Sequence, residues 1–547
     1  MKGGMPSDAV DVRFGFREAT FDQEHGLVLN GKPWRKLIGA NRHQDFAFIG
    51  NALSNSLHYR DAVKLREAGI TVIRNAHYPQ DPAFMDACDE TGLFVIVNTP
   101  GWQFWNKDPI FGKRVLDDIA GMVRRDRSRA CLLFWEPILN ETWYPADFAK
   151  KMRDAARQEA PRGPNMCACD AGARGQADFD IIYQHPKGSI SDVYREGVAG
   201  TRPTFTREWG DCVCDWTAQN SLSRCAREWG EEPQVMQARH YLGDGDPARP
   251  VTSIRMLQAQ APQHFGGALW HAFDHARGYH PDMFLGGIMT SARLPKTAYW
   301  MFKAELAKPG PQIPNVSLEP FAFVANELSP FSPKEVTIYS NVPLEEPKLF
   351  DKPLKEIGPY TYTTEDNKGY SFYDLQKLSF SGAYDKIAIT GKVAGNPFRH
   401  QPAYLRTGLD LKLDAMRVQP VADGSDLVVA VATLVDNDKT PKHYLHEPIR
   451  FSVEGPAEII ETEAKDLNPQ ETRYGEAVVL LRMGTTPGKV TLRAEIDRPG
   501  KMVSGSAALS FETRAPDTPL LFDEPAPLAP SAPLTRKPAA TPTEVTF

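Results

Sequence analysis

"CLLFWEPILNE" (residues 131–141) decides how the fold is read. Its opening residues are apolar without alternation, as in a strand buried on both faces of a parallel sheet. It then ends on a polar pair, Asn140 and Glu141. Runs of the same kind recur on both sides: "KLIGAN" (36–41), "TVIRNAH" (71–77), "LFVIVNTP" (93–100), "MCACD" (166–170), "DIIYQHP" (180–186), "TFTREWG" (204–210) and "GGALWHAFD" (266–274). Between them lie stretches such as "YRDAVKLREAG" (59–69) and "PAFMDACDETG" (82–92). Their apolar residues recur at helical spacing and their glycines suit helix C-termini. Eight strands with intervening helices predict a (β/α)₈ barrel over 26–308, preceded by a short lead-in, 1–25. A doubly wound sheet would carry a Gly-rich phosphate loop after its first strand, and "GANRHQDF" is no such loop.

After "KPGPQIP" (308–314) the texture changes to strand-like alternation, as in "KEVTIYSN", "DLVVAVATLVD" and "KVTLRAEI". Two immunoglobulin-like β-sandwiches are expected, at 312–412 and 413–513. The first carries a polar insertion near 343–384. The last 34 residues (514–547) hold eight prolines, the composition of an extended or disordered tail.

Composition bounds the function. The net charge of -6 lacks the basic excess of a nucleic-acid surface. No stretch approaches the ~18 apolar residues of a membrane span. The N-terminus lacks the apolar core of a signal peptide, so the chain as given reads as cytoplasmic, or as periplasmic or secreted if a signal has been removed. Seven cysteines do not make a disulfide framework. "CAC" and "CVC" lack the C-x₂₋₄-C spacing of zinc sites, so buried, reduced thiols are expected.

A barrel works at the C-terminal ends of its strands. There the sequence places Asn41, Arg42 and His43; Arg74 and His77; Trp102 and Trp105; Asn140 and Glu141; Tyr183 and His185; Glu208 and Asp211; and Trp270, His271 and Asp274. Glu141 and Glu208 end strands four and seven, which face each other across the mouth. Glycoside hydrolysis needs such a pair, one carboxyl to protonate the leaving oxygen and one to attack or to activate water. Tryptophans offer flat faces to a sugar's C–H side. A lone strand-end glutamate is the ordinary mark of a surface acid; the order and spacing of all these ends carry the reading.

"LVLNGKPWRKLIGANRHQD" (27–45), "IRNAHYP" (73–79), "RDRSRACLLFWEPILNE" (125–141), "REWGD" (207–211) and "GGIMTSARLPKTAYWMFKAEL" (286–306) together resemble the barrel of glycoside hydrolase family 2. That family includes β-galactosidases, β-glucuronidases and β-mannosidases. "VADGSDLVVAVATLVDNDKTPKH" (421–443) is similar to a C-terminal sandwich of these enzymes. The resemblance implies a retaining exo-β-glycosidase, first of all a β-galactosidase, acting on an oligosaccharide or polysaccharide fragment. It implies Glu141 as acid/base, kept protonated by apolar surroundings and a neighbouring negative charge, and Glu208 as nucleophile. Asn140 would contact the sugar hydroxyl next to the anomeric carbon, and Tyr183 would steady the nucleophile. Arg74 would orient the nucleophile, and His43, His77 and Trp270 would bind sugar. Trp102, His185 and Asp211 would shape the pocket.

The departures from the family pattern are specific. The acid/base segment has one extra residue between Trp135 and Asn140, leaving Trp135 and Glu136 without an assigned role. "NTPGWQFWN" offers no carboxylate or histidine where family members hold magnesium, so no catalytic metal and no cofactor is expected. The Asn-x-Lys pair that holds a uronic carboxylate is missing, though Arg42, His185 or Arg277 would answer for an anion. The two β domains that normally precede the barrel are not in this chain. A second reading is a carbohydrate-binding barrel without catalysis. A homo-oligomer is compatible with this domain plan.

Overall fold

The computed structural model describes residues 13–161, 166–189, 198–210, 221–244, 250–276, 283–310, 312–329, 331–383, 386–414, 419–460 and 468–517. The "CVC" cysteines, Asp211, Arg277 and most of the proline-rich tail lie outside the described residues.

Eight parallel strands form the first unit: β1 (Leu37–Asn41), β2 (Val72–Arg74), β3 (Phe94–Asn98), β4 (Leu132–Glu136), β5 (Ala168–Asp170), β6 (Ile181–Tyr183), β7 (Thr204–Trp209) and β8 (His264–Leu269). Their order is β4-β3-β2-β1-β8-β7-β6-β5, and a parallel bridge from Trp135 to Cys167 joins the two ends into a TIM barrel. Around it pack α1 (Asn55–Glu67), α2 (Pro82–Thr91), α3 (Pro109–Asp126), α4 (Ala146–Glu159), α5 (Glu231–Leu242), α6 (Ile254–Ala259) and α7 (Thr297–Leu306). The alternation is looser than expected. Only a 3₁₀ turn, Gln176–Asp178, separates β5 from β6, and α5 and α6 both fall between β7 and β8. The stretch between β5 and β6 is simply too short for a crossover helix.

The strands are apolar throughout because each divides its residues between two cores. Ile73, Val95, Val97 and Trp135 face the helices, whereas Val72, Phe94, Ile96 and Phe134 face the lumen. Phe134, Tyr183, Phe205 and Phe265 plug the lumen, with neighbouring ring centroids 5.1–6.4 Å apart. Gly266 has φ +152 and sits so close to β1 that an added Cβ would overlap the Leu37 carbonyl oxygen. Cys167 and Cys169 share the helix-facing shell as buried thiols outside any disulfide. Among the described residues no helix is long and apolar enough to cross a membrane.

The second unit differs from a two-sheet sandwich. Its seven antiparallel strands form one continuous sheet in the order 322–324, 336–340, 361–364, 352–358, 344–349, 389–393 and 396–400. It wraps a common core of Val324, Ile338, Tyr362, Leu354, Leu349 and Ile389, with Phe398 against it. The 343–384 segment is no insertion in this sheet, because it supplies three of the strands and the helix Phe372–Phe380. The third unit is a true sandwich of two four-stranded sheets, starting at Gly408. In its strand Leu427–Val435, Val428, Ala430, Ala432 and Leu434 face the partner sheet. Leu427, Val429 and Val431 face the barrel, against Phe46, Leu57 and Ala292. Phe46 lies just beyond His43, so the sandwich backs the first active-end loop.

Charge pins the same contact. Asp414 of the sandwich binds Lys64 Nζ at 2.9 Å and Arg60, both on α1. Burial alone would raise the Asp414 carboxyl, but Arg60 and Lys64 outweigh it and hold it below its ordinary value. A depressed folded value contributes stability that is complete above the unfolded value and lost as pH falls through the folded one. Asp414→Asn leaves two buried cations without their anion and should cost roughly 3–5 kcal/mol near neutral pH. Denaturant melts of both proteins should show that gap narrowing below about pH 4. A constant gap across pH would refute the electrostatic account.

Candidate active site

Arg74 is the hub of the barrel mouth. It ends β2 two residues beyond lumen-facing Val72, so it points inward, and it is fully buried. All five of its N–H groups are used. Nε and Nη2 hold the Glu136 carboxylate at 2.7 and 2.6 Å. Nη1 donates to Asn41 Oδ1 and to Glu208 Oε1, each at 2.9 Å, and Nη2 reaches Asn140 Oδ1 at 3.2 Å. Burial would lower its affinity for a proton, yet the Glu136 carboxylate overrides this and drives it up.

Glu136 is the residue that the sequence reading left unassigned. It follows Phe134 by two and so shares its lumen face. Its side chain is 1% exposed, and Tyr183 donates its hydroxyl to Oε2 at 2.8 Å. This corrects one expectation: Tyr183 is bonded to Glu136 rather than to Glu208. Burial, then the Glu136 charge, pushes the Tyr183 phenol well up, so it stays a donor.

Strict alternation along β7 would send Arg207 inward and Glu208 outward. The ladder to β8 shifts register between Thr206 and Trp209, and this bulge turns both residues to the mouth. Arg207, only 13% exposed, pairs through Nε with Asp170 at 3.0 Å and through Nη2 with Glu141 at 3.3 Å. Burial raises the Asp170 carboxyl, which Arg207 partly offsets.

Glu141 is not in apolar surroundings, a second correction. Its side chain is 42% exposed, and Gln103 donates to Oε2 at 2.7 Å. Gln103 and Glu141 both sit in the left-handed region, at φ 57 and φ 50. That conformation is costly for non-glycine residues and tends to mark functional sites. The two backbones are tied by the bond from Gln103 N to Asn140 O at 2.9 Å.

One wall of the mouth is aromatic. His77 stacks on Trp270 with centroids 5.3 Å apart and lies 5.6 Å from half-exposed Trp102. His43 packs edge-on to Trp270 at 5.6 Å, and its Nδ1 shares a 3.3 Å hydrogen bond with the Tyr78 hydroxyl. Burial, then Arg74, drives His77 well below the ordinary imidazole value, so it is neutral. His185 reaches Thr252 Oγ1 at 2.8 Å and is pushed down by burial to about 4. It therefore offers no cation for an anionic sugar. Neither does Arg42, which is fully buried and pairs with Asp61 at 2.7 Å. Asp61 also holds Arg293 at 3.0 Å, so Arg42 locks β1 to α1 and to the closing segment.

The expected residues Glu208, Arg74 and Asn140 are thus joined by direct bonds, and Glu141 pairs with Arg207, the residue before Glu208 in the chain. Glu136, Asp170, Arg207 and Gln103 were missed. Alternation from Phe134 would have found Glu136, and from Ala168 would have found Asp170. Nothing in the sequence announces the β7 bulge or the Gln103 turn.

The family description "Glycosyl hydrolases family 2, TIM barrel domain" matches residues 23–180, and "Glycoside hydrolase family 2 C-terminal domain 5" matches 411–501. A β-galactosidase of Thermoanaerobacter pseudethanolicus is 25% identical over 525 residues, covering 89% of this chain and 63% of that protein. A β-galactosidase of Thermoanaerobacterium thermosulfurigenes is 27% identical over 493 residues, covering 83% and 63%. Among solved structures, a β-glycosidase from Bacteroides vulgatus superposes with a TM-score of 0.67 at 19% identity, over 91% of this chain and 67% of that one. A β-glucuronidase of the same family gives 0.66 at 18% identity, over 96% and 53%. The chain therefore spans about 63% of the length of these two curated relatives.

Proposed function

From a chain that belongs to glycoside hydrolase family 2, we propose a retaining exo-β-glycosidase, acting first of all on terminal β-galactosides. The observation that carries the reading is the Arg74 bond to Glu208 at 2.9 Å, in a mouth where Arg207 also pairs with Glu141. Glu208 attacks the anomeric carbon and the bond to the leaving oxygen breaks, while Glu141 gives that oxygen its proton. Water, deprotonated by Glu141, then displaces Glu208 and the sugar leaves with its configuration retained. Retention calls for carboxyls about 5–5.5 Å apart. Asn140 meets the hydroxyl beside the anomeric carbon, and Trp102, His77, Trp270 and His43 line the sugar's apolar face. Glu136 is unsuited to either catalytic role, because it is buried and both its oxygens are committed.

The choice of galactose follows the two β-galactosidase relatives, which cover most of the chain. One observation favours a uronic acid as the second reading: Nη1 of Arg207, beside the nucleophile, has no hydrogen-bond partner among the described residues. A panel of aryl β-glycosides, run with and without a chelator, tests both. Release of colour from the galactoside alone supports the first reading, and preference for a glucuronide or galacturonide the second. No colour from any sugar would favour a non-catalytic carbohydrate-binding barrel.

A further inference from the structure

Arg74 divides its donors unequally between two carboxylates. Glu136 receives the fork, Nε and Nη2 together, whereas Glu208 receives one N–H of Nη1. Fork pairing is the stronger arrangement and the one an arginine adopts with a single carboxylate. Here the fork is occupied by a fully buried carboxylate. Because the remaining donors are held by Asn41 and Asn140, the guanidinium cannot turn its fork toward Glu208 without breaking several buried bonds.

We propose that Glu136 is a positioning residue for the nucleophile: by taking the Arg74 fork and the Tyr183 hydroxyl, it leaves Glu208 with one N–H of Arg74 to orient it and still reactive. The inference rests on Glu208 being the nucleophile. A carboxylate held by a full fork is a weak attacking group, since its charge is already satisfied. With the fork and much of the positive charge spent on Glu136, Arg74 aims Glu208 without quenching it. The Tyr183 hydroxyl, a further donor that would quench the nucleophile, is also turned to Glu136. The charged and titratable groups around the pair come from several strands. Glu136 faces Arg74 of β2, Asp170 of β5 and Tyr183 of β6, with Tyr144 and Cys169 behind. Glu208 faces Arg74, Asp170 and Arg207, and His185 lies near it.

The test follows the Glu208 carboxyl by carbon NMR in protein labelled at glutamate, assigned by the signal lost in Glu208→Gln. In Glu136→Gln the buried negative charge is gone, so Arg74 acts undivided on Glu208. The titration midpoint of Glu208 should fall by about one pH unit. The acid limb of kcat/KM on an aryl glycoside should move with it, at a lower maximal rate. Tyr183→Phe should leave the midpoint in place, because its hydroxyl serves Glu136. If Glu136→Gln fails to fold, Glu136→Asp draws the carboxylate back by one methylene and should shift the midpoint in the same direction by less. An unmoved midpoint in whichever of these folds overturns the proposal, as does a rise in Tyr183→Phe, which would mean that the phenol serves the nucleophile directly. Should the wild-type protein hydrolyse no glycoside, the functional reading fails, while the titration still reports whether Glu136 divides Arg74.

Discussion

Glu208→Gln should abolish turnover on every glycoside that the wild-type enzyme cleaves, with a loss of roughly 10⁴-fold or more in kcat. The amide keeps the shape of the side chain and can still accept one hydrogen bond from Arg74 Nη1. It cannot form the glycosyl ester through which retention proceeds. The effect should therefore appear in chemistry and not in folding. Arg74 keeps its bonds to Glu136, Asn41 and Asn140, and thermal melting should change little. A fluorinated glycoside, whose first step outruns its second, should label wild-type protein on the peptide containing residue 208 and leave the variant unlabelled. Near-normal activity in Glu208→Gln, or a label on another carboxylate, would remove the residue from the reaction.

The barrel was legible because its strands are buried on both faces. Runs such as "LFVIVNTP" and "CLLFWEPILNE" have no polar face to confuse the reading, and all eight expected strands are present. The middle unit was harder for the opposite reason. Strands 344–349 and 352–358 leave most of their side chains in water and bury only Leu349 and Leu354. Their sequence is consequently polar enough to read as an inserted loop, although they lie inside the sheet. The strand Leu427–Val435 was recognised, but its lack of alternation has a cause outside its own domain, since its second face meets the barrel.

At the site, spacing and resemblance located Glu141, Glu208, Arg74 and Asn140 along the chain, but they did not say which group bonds to which. Tyr183 shows the difference. Its position at the end of β6 was clear, yet its partner depends on Glu136, a residue to which the family resemblance gave no role. The pair Arg207 and Glu208 shows another limit. A bulge interrupts the side-chain alternation of β7 there and brings both to the mouth, and bulges leave no reliable mark in composition.

The second large effect separates the two exposed roles that this geometry leaves open. Glu141→Ala should slow cleavage of glycosides with alkyl leaving groups by roughly 10²–10⁴-fold, the range of a lost general acid. Dinitrophenyl glycosides should still be attacked quickly, because that leaving group departs without a proton. The second step then becomes limiting, since no base remains to activate water, and the glycosyl-enzyme should accumulate. Azide needs no deprotonation and fits the space left by the missing carboxyl. It should restore turnover and yield a β-glycosyl azide. The alkaline limb of kcat/KM should flatten in the same variant. Gln103→Ala removes the 2.7 Å bond that fixes Glu141 Oε2 and should weaken the same leaving-group discrimination by a smaller factor, without azide rescue. If Glu141→Ala slowed activated and unactivated substrates alike, with no azide product, the proton would have to come from elsewhere. The buried Glu136 could supply it only by giving up Arg74, so the acid would then lie outside the set gathered around that arginine.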